Sequence, residues 1–340
     1  MNRLRIRRPL AVVALAAAVA IPAAGCGGSS DSSSASSSNG GGGGGDKVTT
    51  LNVGIVGIAP DASMYLGMKK GFFAKQGLKV VPKISGGGAA VIPGVVSGGL
   101  QVGSSNPVSI LLATEKGLPL QVVAGQNEAP ASASDTDHVI SGVLVRKDSP
   151  ITSAKDLAGK TIAVNTLQNI GDVTIKGALA KQGVAVDGIK FLEIPFPDML
   201  AALDSKRVDA AWVLDPFLSL GKAQGDRMVL ANFVEAAPRL PLTAYFVSKS
   251  YASAHPDVVK GFRTAMTEAS DYATQHPDEV RSIVTTFTKI PPEAAQKMAL
   301  PVFTTQIDQG AMTTLAQMMQ RFGLVQDAPD VNAVFGPAFG

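Results

Sequence analysis

The residues best suited to binding a small molecule are short polar side chains and glycines between apolar runs and helix-like segments. They fall in four loops: Asp61-Ala62-Ser63, Ser85-Gly86-Gly87-Gly88, Ser104-Ser105-Asn106-Pro107 and Asn165-Thr166-Leu167-Gln168-Asn169. Glycine lets the backbone approach a ligand closely, and Ser, Thr and Asn offer short hydrogen-bonding groups. Where such a loop opens a helix, the unpaired N–H groups and the helix dipole favour an anion. The loops therefore predict an oxyanion site, with helix capping as the alternative for any one of them.

The stretch Trp212-Val213-Leu214-Asp215-Pro216-Phe217 is distinctive and holds the only tryptophan of the chain. Asp215 directly before Pro216 predicts the start of a helix, because an acid at the N-cap followed by proline is a common opening. A contact with a ligand or between two parts of the fold is the alternative for Asp215. Trp212 is expected in the core or in the wall of a cleft, since its ring is apolar and its edge is polar.

Patterns typical of enzymes are incomplete in this chain. Gly159-Lys160-Thr161 resembles the end of a phosphate-binding P-loop, but Ala154 stands where that motif has its first glycine. The histidines, His138, His255 and His276, lack the spacing of metal ligands. We therefore expect no catalytic residues, no metal site and no cofactor.

The N-terminus has the pattern of an export signal. Four arginines between positions 3 and 8 precede an apolar run over 10–21 and then Ala23-Ala24-Gly25-Cys26. The run is shorter than the roughly 20 residues that span a membrane. We predict a lipoprotein signal peptide over 1–25 and lipidation of Cys26, with an ordinary secretory peptide as the alternative. The protein would then be extracytoplasmic and anchored to the cell membrane by lipid.

A flexible tether is predicted after the signal, over residues 26–48. This segment is rich in serine and contains the run Gly40–Gly45, so it has almost nothing to bury. Such a tether lets a folded body move near the membrane surface.

The charge balance argues against nucleic acid as a partner. Of the 30 basic residues, four belong to the signal, which leaves 26 against 27 acidic residues. Aromatic residues make up only 5% of the chain and no basic stripe runs among them. A nucleic-acid interface needs an excess of basic residues, so none is expected.

From Leu51 onward, short apolar runs alternate with helix-like segments, which is typical of βα units on a parallel sheet. A second series of comparable size begins after 143–146, and helices follow toward the C-terminus. The predicted helices are 62–70, 89–96 and 107–116 in the first series, 172–182, 198–205 and 216–223 in the second, and 256–275, 277–287, 292–300 and 308–321 at the end. The fold class is therefore α/β, with two doubly wound lobes.

The predicted lobes are built from discontinuous parts of the chain. Lobe 1 comprises 49–140 and 245–340, because the late helices need a sheet to pack on, and lobe 2 comprises 141–244. The chain then crosses between lobes twice, near 141–148 and near 238–244. Two crossings make a hinge.

Four stretches carry a family resemblance: Met64–Leu78, Asp156–Val164, Val208–Phe217 and Ser253–Lys260. Together they resemble the solute-binding proteins of the nitrate, sulfonate and taurine group of ABC transporters, over roughly 51–330. The resemblance implies a type II periplasmic-binding-protein fold, in which two lobes joined by two hinge strands close on a ligand. It also implies docking to a membrane permease powered by an ATPase.

In that family the loops at the corresponding positions line the cleft. The resemblance, with the loop pattern, implies these ligand-binding residues: Asp61, Ala62, Ser63, Gly87, Gly88, Ala89, Ser104, Ser105, Asn106, Thr166, Leu167, Gln168, Trp212, Leu214 and Asp215. Leu214 stands where relatives often carry an aromatic residue, so the identity of the ligand is left open.

The leading hypothesis is a monomeric binding protein for a small organic anion or zwitterion, such as an alkanesulfonate, taurine or nitrate. A thiamine-precursor pyrimidine is the next candidate ligand. A ligand-sensing lipoprotein would need the same cleft. An enzyme resembling the yeast-type pyrimidine synthase is disfavoured, because that relative uses a cysteine-rich segment and this chain has only Cys26.

Overall fold

The computed structural model describes residues 48–336. Its strands are β1 (Thr49–Ile55), β2 (Leu78–Ile84), β3 (Val102–Ser105), β4 (Leu120–Glu128), β5 (Ser141–Val145), β6 (Thr161–Val164), β7 (Lys190–Glu193), β8 (Ala210–Leu214), β9 (Arg227–Leu230), β10 (Pro241–Ser248) and β11 (Val302–Phe303). The predicted signal peptide, Cys26 and nearly all of the predicted tether lie outside the described residues.

Helices separate most of the strands. They are α1 (Ala62–Lys69), α2 (Phe72–Lys75), α3 (Gly88–Val96), α4 (Pro107–Glu115), α5 (Ile170–Lys181), α6 (Phe196–Asp204), α7 (Phe217–Ala223), α8 (Asn232–Ala236), α9 (Lys249–Ala254), α10 (Pro256–Gln275), α11 (Pro277–Phe287), α12 (Pro292–Gln296) and α13 (Gln309–Arg321). Short 3-10 helices span Ala59–Asp61, Thr136–His138, Ala154–Leu157 and Val331–Val334. Within 48–336, no helix is both long enough and apolar enough to cross a bilayer.

The strands form two sheets, which confirms the predicted α/β class. The first sheet has the order β11-β4-β10-β3-β1-β2 and the second has the order β7-β6-β8-β5-β9. In the first, β1 is parallel to β2 and β3, whereas β10 is antiparallel to β3 and β4. In the second, β6 is parallel to β7 and β8, and β5 is antiparallel to β8 and β9. The reversed strands are β10 in the first sheet and β5 in the second. Each is the first strand that forms after the chain has crossed from the other sheet.

Two short segments connect the sheets, and they contact each other. One runs from the end of β4 to β5 and the other runs from α8 to β10. The Ala129 N–H donates to the Leu240 carbonyl at 2.8 Å, which ties the segments together. The first lies before the predicted crossing at 141–148, because Ser141–Val145 is already a fully buried strand of the second sheet, and the second overlaps the predicted crossing at 238–244. That these segments act as a hinge stays a prediction.

The late helices mostly pack on the first lobe, by which we mean the elements around the first sheet. Phe262 and Met266 of α10 are buried in the same apolar cluster as Leu51 and Val53 of β1. The repeated His-Pro-Asp signal is confirmed, since α10 and α11 each begin at its proline. Helix α13 differs from the prediction, because it contacts α5 of the second lobe as well as α4 of the first.

Candidate functional site

The two lobes touch through the loops that follow their strands. The Ala59 N–H of the first lobe donates to the Asp215 carbonyl of the second at 3.1 Å. A Cβ placed on Gly87 would lie 2.8 Å from Thr166 Oγ1 and 2.9 Å from Asn165 Nδ2. A larger side chain at position 87 would therefore displace the side chain of Thr166 or Asn165, so the loops of the two lobes are in close contact here.

A cavity of about 30 Å³ lies between the lobes, large enough for roughly two water molecules. We call it the inner cavity. Its walls come from both lobes: Val56, Ile58, Pro60, Gly88, Asn106, Asn127, Leu242 and Thr243 from the first sheet's side, and Asn165, Ile170, Phe196, Trp212, Leu214 and Phe233 from the second. Among these described residues none is ionisable, so any charge preference must come from dipoles.

Four helices begin at the inner cavity. Gly88 is the first residue of α3 and Asn106 is the N-cap of α4, whereas Ile170 and Phe196 open α5 and α6. The first N–H groups of a helix have no intrahelical partner, and the helix dipole places partial positive charge there. Two helices from each lobe thus begin at one small volume, and their dipoles favour an anion. Asp172 in the first turn of α5 and Asp198 in the first turn of α6 reduce this effect on the side of the second lobe, so α3 and α4 contribute most of it.

Two buried polar atoms beside this volume have no hydrogen-bond partner within residues 48–336. They are Ser105 Oγ and Asn127 Nδ2, and both side chains are at least 99% buried. A Cβ on Gly88 would lie 2.3 Å from Ser105 Oγ, which places this hydroxyl directly behind the cavity wall. Thr243 Oγ1 donates to Asn127 Oδ1 and so fixes the amide with its N–H₂ group unused. Leaving such groups unpaired costs about 1–3 kcal/mol each, so they point to a ligand with acceptor atoms.

Asp61 and Ser104 are buried in hydrogen bonds that shape the first-lobe wall. The Asp61 carboxylate accepts from the N–H groups of Gly57 and Ile58 at 2.9 and 3.1 Å and from Gln126 Nε2 at 2.9 Å. Gln126 Oε1 in turn accepts from Ser104 Oγ at 2.7 Å. Burial raises the pKa of Asp61, against these hydrogen bonds. The network holds the loop that carries Ile58 and Pro60 into the cavity wall.

The aromatic part of the wall belongs to the second lobe. Trp212 packs on Phe196 and Phe233, with ring centroids 5.6 and 5.8 Å away. Its Nε1–H donates to Ser141 Oγ at 2.8 Å and to Asn232 Oδ1 at 3.1 Å. Because the indole N–H is satisfied inside its own lobe, Trp212 presents an apolar surface to the cavity.

Asp215 lies one residue before Pro216, the N-cap of α7, rather than at the N-cap itself as the sequence predicted, and its carboxylate lies outside the cavity lining. Oδ1 accepts from the Ser219 N–H at 2.9 Å, one turn into the helix. Complete burial raises the pKa of Asp215 to about 6, although the hydrogen bonds from Ser219 and the charge of Lys222 act in the opposite direction. Asp215 therefore stabilises a contact between lobes through its carbonyl, and its side chain is held within the protein.

The remaining sequence-predicted residues take different places. Gly88, Asn106, Trp212 and Leu214 line the inner cavity. Ala62 and Ser63 are buried in α1, and Ala89 is half-buried in α3. Leu167 and Gln168 are exposed in a loop that Asp172 holds, because its carboxylate accepts from the Gln168 N–H at 2.8 Å.

Several lining residues were missed by the sequence reasoning. These are Val56, Ile58, Pro60, Asn127, Ile170, Phe196, Phe233, Leu242 and Thr243, whereas Asn165 belongs to a loop that the sequence predicted. Asn127 could have been found, since it lies at the end of a strand, as the predicted loops do. Thr243 could not, because its place depends on β10 inserting beside β4.

Metal binding has no geometric support in the described part of the chain. Within residues 48–336, no group of three or more His, Cys, Asp or Glu side chains could hold a metal ion. The chemistry available at the inner cavity is therefore hydrogen bonding and helix-dipole attraction.

Two α/β sheets between which the chain crosses twice, with a cavity walled from both sides, define a periplasmic-binding-protein fold. The chain belongs to the family described as NMT1/THI5 like, whose model matches residues 60–280. It is 24% identical over 182 residues to the taurine-binding periplasmic protein of Escherichia coli K12, covering 54% of this chain and 53% of that protein. The chain thus spans about half the length of this curated relative.

Solved structures support the fold over more of the chain. The alkanesulfonate-binding protein SsuA of Xanthomonas axonopodis pv. citri, bound to MOPS, aligns with a TM-score of 0.68 at 18% identity, covering 84% of this chain and 96% of that one. The ligand-binding component of an ABC-type import system from Staphylococcus aureus, in a zinc-bound structure, aligns with a TM-score of 0.72 at 14% identity, covering 85% and 97%. These similarities establish the type II architecture.

Proposed function

We propose that this protein captures a small organic anion, of the sulfonate class, between its lobes and delivers it to an ABC importer. The observation that carries the proposal is the inner cavity, where four helices begin and the unpartnered N–H₂ group of Asn127 lines a volume whose described walls hold no ionisable side chain. Such an arrangement binds and releases a ligand and offers no nucleophile or general base. It fits a binding protein rather than an enzyme.

The helix N-termini favour an anion over a neutral ligand. Each is worth about 0.3–1 kcal/mol to a nearby negative charge, and up to ~2 kcal/mol where partly buried. Four of them together can supply roughly 1–4 kcal/mol, comparable with the contribution of one strong charged hydrogen bond. An oxyanion also offers enough lone pairs to accept from the N–H₂ group of Asn127 and from the first N–H groups of α3, which no side chain caps, at once.

The absence of a carboxylate from the described lining argues against a zwitterion. Asp61 and Asp215, which were predicted to bind ligand, lie outside this lining and accept hydrogen bonds from the protein. A buried ammonium without a counter-charge is costly. We therefore favour a simple sulfonate over taurine, although the taurine-binding relative supports the wider substrate class.

A pyrimidine is the second candidate ligand, and the aromatic wall favours it. Phe196, Trp212 and Phe233 form a surface on which a flat ring can pack. Asn106, Asn127 and Asn165 could hydrogen-bond to the edge of such a ring. A pyrimidine would be neutral, so it would gain little from the helix N-termini.

Delivery requires a location outside the cytoplasm and a permease partner. The ABC-type import component with the same fold supports this part of the proposal. Anchoring through a lipid on Cys26, a flexible tether over 26–48 and a monomeric state complete it. Mass spectrometry of Cys26 in the protein purified from membranes tests the anchor, and an unmodified cysteine would remove it.

Isothermal titration calorimetry of the full chain tests the ligand class. We expect ethanesulfonate to bind at least tenfold more tightly than taurine, because the ammonium of taurine would be buried unpaired. Ser105→Ala should weaken ethanesulfonate binding by roughly tenfold to a hundredfold, the loss of one hydrogen bond to a charged group. Ser97→Ala, at the exposed end of α3, is the matched control and should change nothing.

Two outcomes of the calorimetry would contradict the proposal. Binding of a pyrimidine but of no sulfonate would replace the proposed ligand by the second candidate. Unchanged sulfonate affinity in Ser105→Ala would remove the inner cavity as the binding site.

A further inference from the structure

A buried hydrogen-bond network lies behind the aromatic wall of the inner cavity. Its members are Ser141 of β5, Thr174 of α5, Trp212 of β8 and Asn232 of α8, and each is at least 98% buried. Asn232 is bonded to the other three. We call these four residues the Asn232 network. It joins four elements of the second lobe through one amide.

The contacts fix the orientation of the Asn232 amide. The Trp212 indole N–H can only donate, and it donates to Ser141 Oγ at 2.8 Å and to Asn232 Oδ1 at 3.1 Å. Ser141 Oγ donates in turn to Asn232 Oδ1 at 2.9 Å. An amide turned the other way would place a second donor against the indole N–H. Asn232 therefore keeps its oxygen toward Trp212 and its N–H₂ group toward Thr174.

The other end of the network is anchored to helix α5. Asn232 Nδ2 donates to Thr174 Oγ1 at 2.7 Å, and Thr174 Oγ1 donates to the Ile170 carbonyl at 2.6 Å. Thr174 can accept from Asn232 because its own proton is used in the first turn of α5. The position of that turn is thus transmitted through Thr174 and Asn232 to the Trp212 ring.

The Trp212 ring is held from two sides. Its N–H edge is bonded to Ser141 and Asn232, whereas its six-membered ring packs on Gly171, where a Cβ would lie 2.6 Å from the ring carbons. Trp212 lines the inner cavity, as does Phe233, the residue that follows Asn232. The network therefore determines how the aromatic wall faces the cavity.

A network of this kind contributes orientation more than stability. Its hydrogen bonds replace bonds to water, so apolar side chains of the same shape could be about equally stable at these positions. Apolar packing alone tolerates more than one arrangement, whereas a fully satisfied set of hydrogen bonds specifies one. A wall that is ordered before the ligand arrives spares the ligand the cost of ordering it, which raises the affinity.

We propose that Asn232 is a positioning residue of the binding site, which acts through the indole N–H of Trp212 to hold the aromatic wall in one orientation. Asn232 lies behind the lining of the inner cavity rather than in it. The inference rests on the proposed function for the ligand of the site, and on the geometry of the second lobe alone for the ordered wall.

Hydrogen exchange of the indole proton in the ligand-free full chain tests the ordering. Trp212 is the only tryptophan, so its indole N–H gives a single signal in a nitrogen–proton NMR spectrum. Asn232→Leu removes one of the two acceptors, and the indole proton should exchange about tenfold faster. The backbone amides of β8 should keep their exchange rates. Asn332→Leu, at an exposed asparagine, is the matched control and should change neither.

Calorimetry with ethanesulfonate tests the effect on binding. Asn232→Leu should weaken binding by about fivefold to tenfold. In a Trp212→Phe background, which has no indole N–H, the same substitution should change the affinity by less than about twofold. A residue that only stabilises the fold would weaken binding equally in both backgrounds.

The outcomes separate this inference from the proposed function. An unchanged exchange rate of the indole proton, or an equal acceleration of the β8 amides, would overturn the inference, as would an equal loss of affinity in both backgrounds. If ethanesulfonate does not bind the wild type, the proposed function fails and the indole exchange decides the inference. If Asn232→Leu does not fold, Thr174→Val takes its place, because it removes the group that orients the Asn232 amide and should accelerate the same proton.

Discussion

Asp215→Asn should make the stability of the protein less dependent on pH. Asp215 is completely buried, and burial raises its pKa from 3.8 to about 6 in the folded protein. One pKa unit corresponds to about 1.4 kcal/mol, so a shift of this size makes the ionised side chain cost about 3 kcal/mol of folding free energy.

The sign follows from the direction of the shift. An acid with a raised pKa binds its proton more tightly in the folded state, so its contribution is most favourable below pH 3.8. The free energy of unfolding falls as the pH rises through the window from 3.8 to about 6, and the full cost is present above it. Asparagine keeps an acceptor for the Ser219 N–H and carries no charge. The variant should therefore equal the wild type near pH 4 and exceed it by up to ~3 kcal/mol near pH 7.5.

Urea denaturation at several pH values measures this difference. Trp212 is the only tryptophan and is 2% exposed, so its fluorescence reports unfolding. Asp156→Asn is a control of opposite sign, because backbone hydrogen bonds from Thr152 and Ser153 lower the pKa of Asp156. That variant should lose stability at neutral pH and converge on the wild type in acid. If the free energies of unfolding of Asp215→Asn and wild type differ by the same amount at every pH from 4 to 7.5, the reasoning is refuted.

Three further substitutions test the packing and the closure of the lobes. Gly87→Val should weaken ligand binding about tenfold or more, because the valine side chain would meet Thr166 when the lobes close. It should not lower the free energy of unfolding. Calorimetry measures the affinity and urea denaturation measures the stability. Trp212→Phe should lower the free energy of unfolding by about 1–3 kcal/mol, since Ser141 loses its indole partner; circular dichroism follows the transition. Gly171→Ala should cost about 1–3 kcal/mol, because its Cβ would lie 2.6 Å from the Trp212 ring, and an unchanged midpoint would show that the ring can move.

The strand-end loops were predictable from sequence because their rule is local. A parallel strand followed by small polar residues and a helix places those residues at the carboxyl edge of the sheet. Gly88 and Asn106 were identified in this way, and both lie in the wall of the inner cavity. The helix boundaries followed equally well where proline marks them, as at Pro256 and Pro277.

The inward-facing members of the same loops could not be recognised. Asp61 looks like a ligand-binding acid in the sequence, but its carboxylate accepts a hydrogen bond from Gln126, which lies 65 residues away in the chain. Phe196 shows the converse: it lines the site, but nothing in the sequence marks it as a ligand-binding residue. It is an ordinary apolar residue at a helix start, and it reaches the site only because the second lobe closes on the first. Whether a side chain turns toward the cleft depends on long-range packing that no local pattern encodes.

On the proposed function, the division of the helix N-termini between the lobes links binding to closure. Helices α3 and α4 belong to the first lobe, and α5 and α6 to the second. When the lobes separate, an anion held by one lobe loses two helix N-termini, worth roughly 0.6–2 kcal/mol, and the wall formed by Phe196 and Trp212. Its affinity for the open state is then lower by about threefold to thirtyfold from the dipoles alone. By linkage the ligand favours the closed state by the same factor, and forced opening by a permease would release it without any change of charge on the protein.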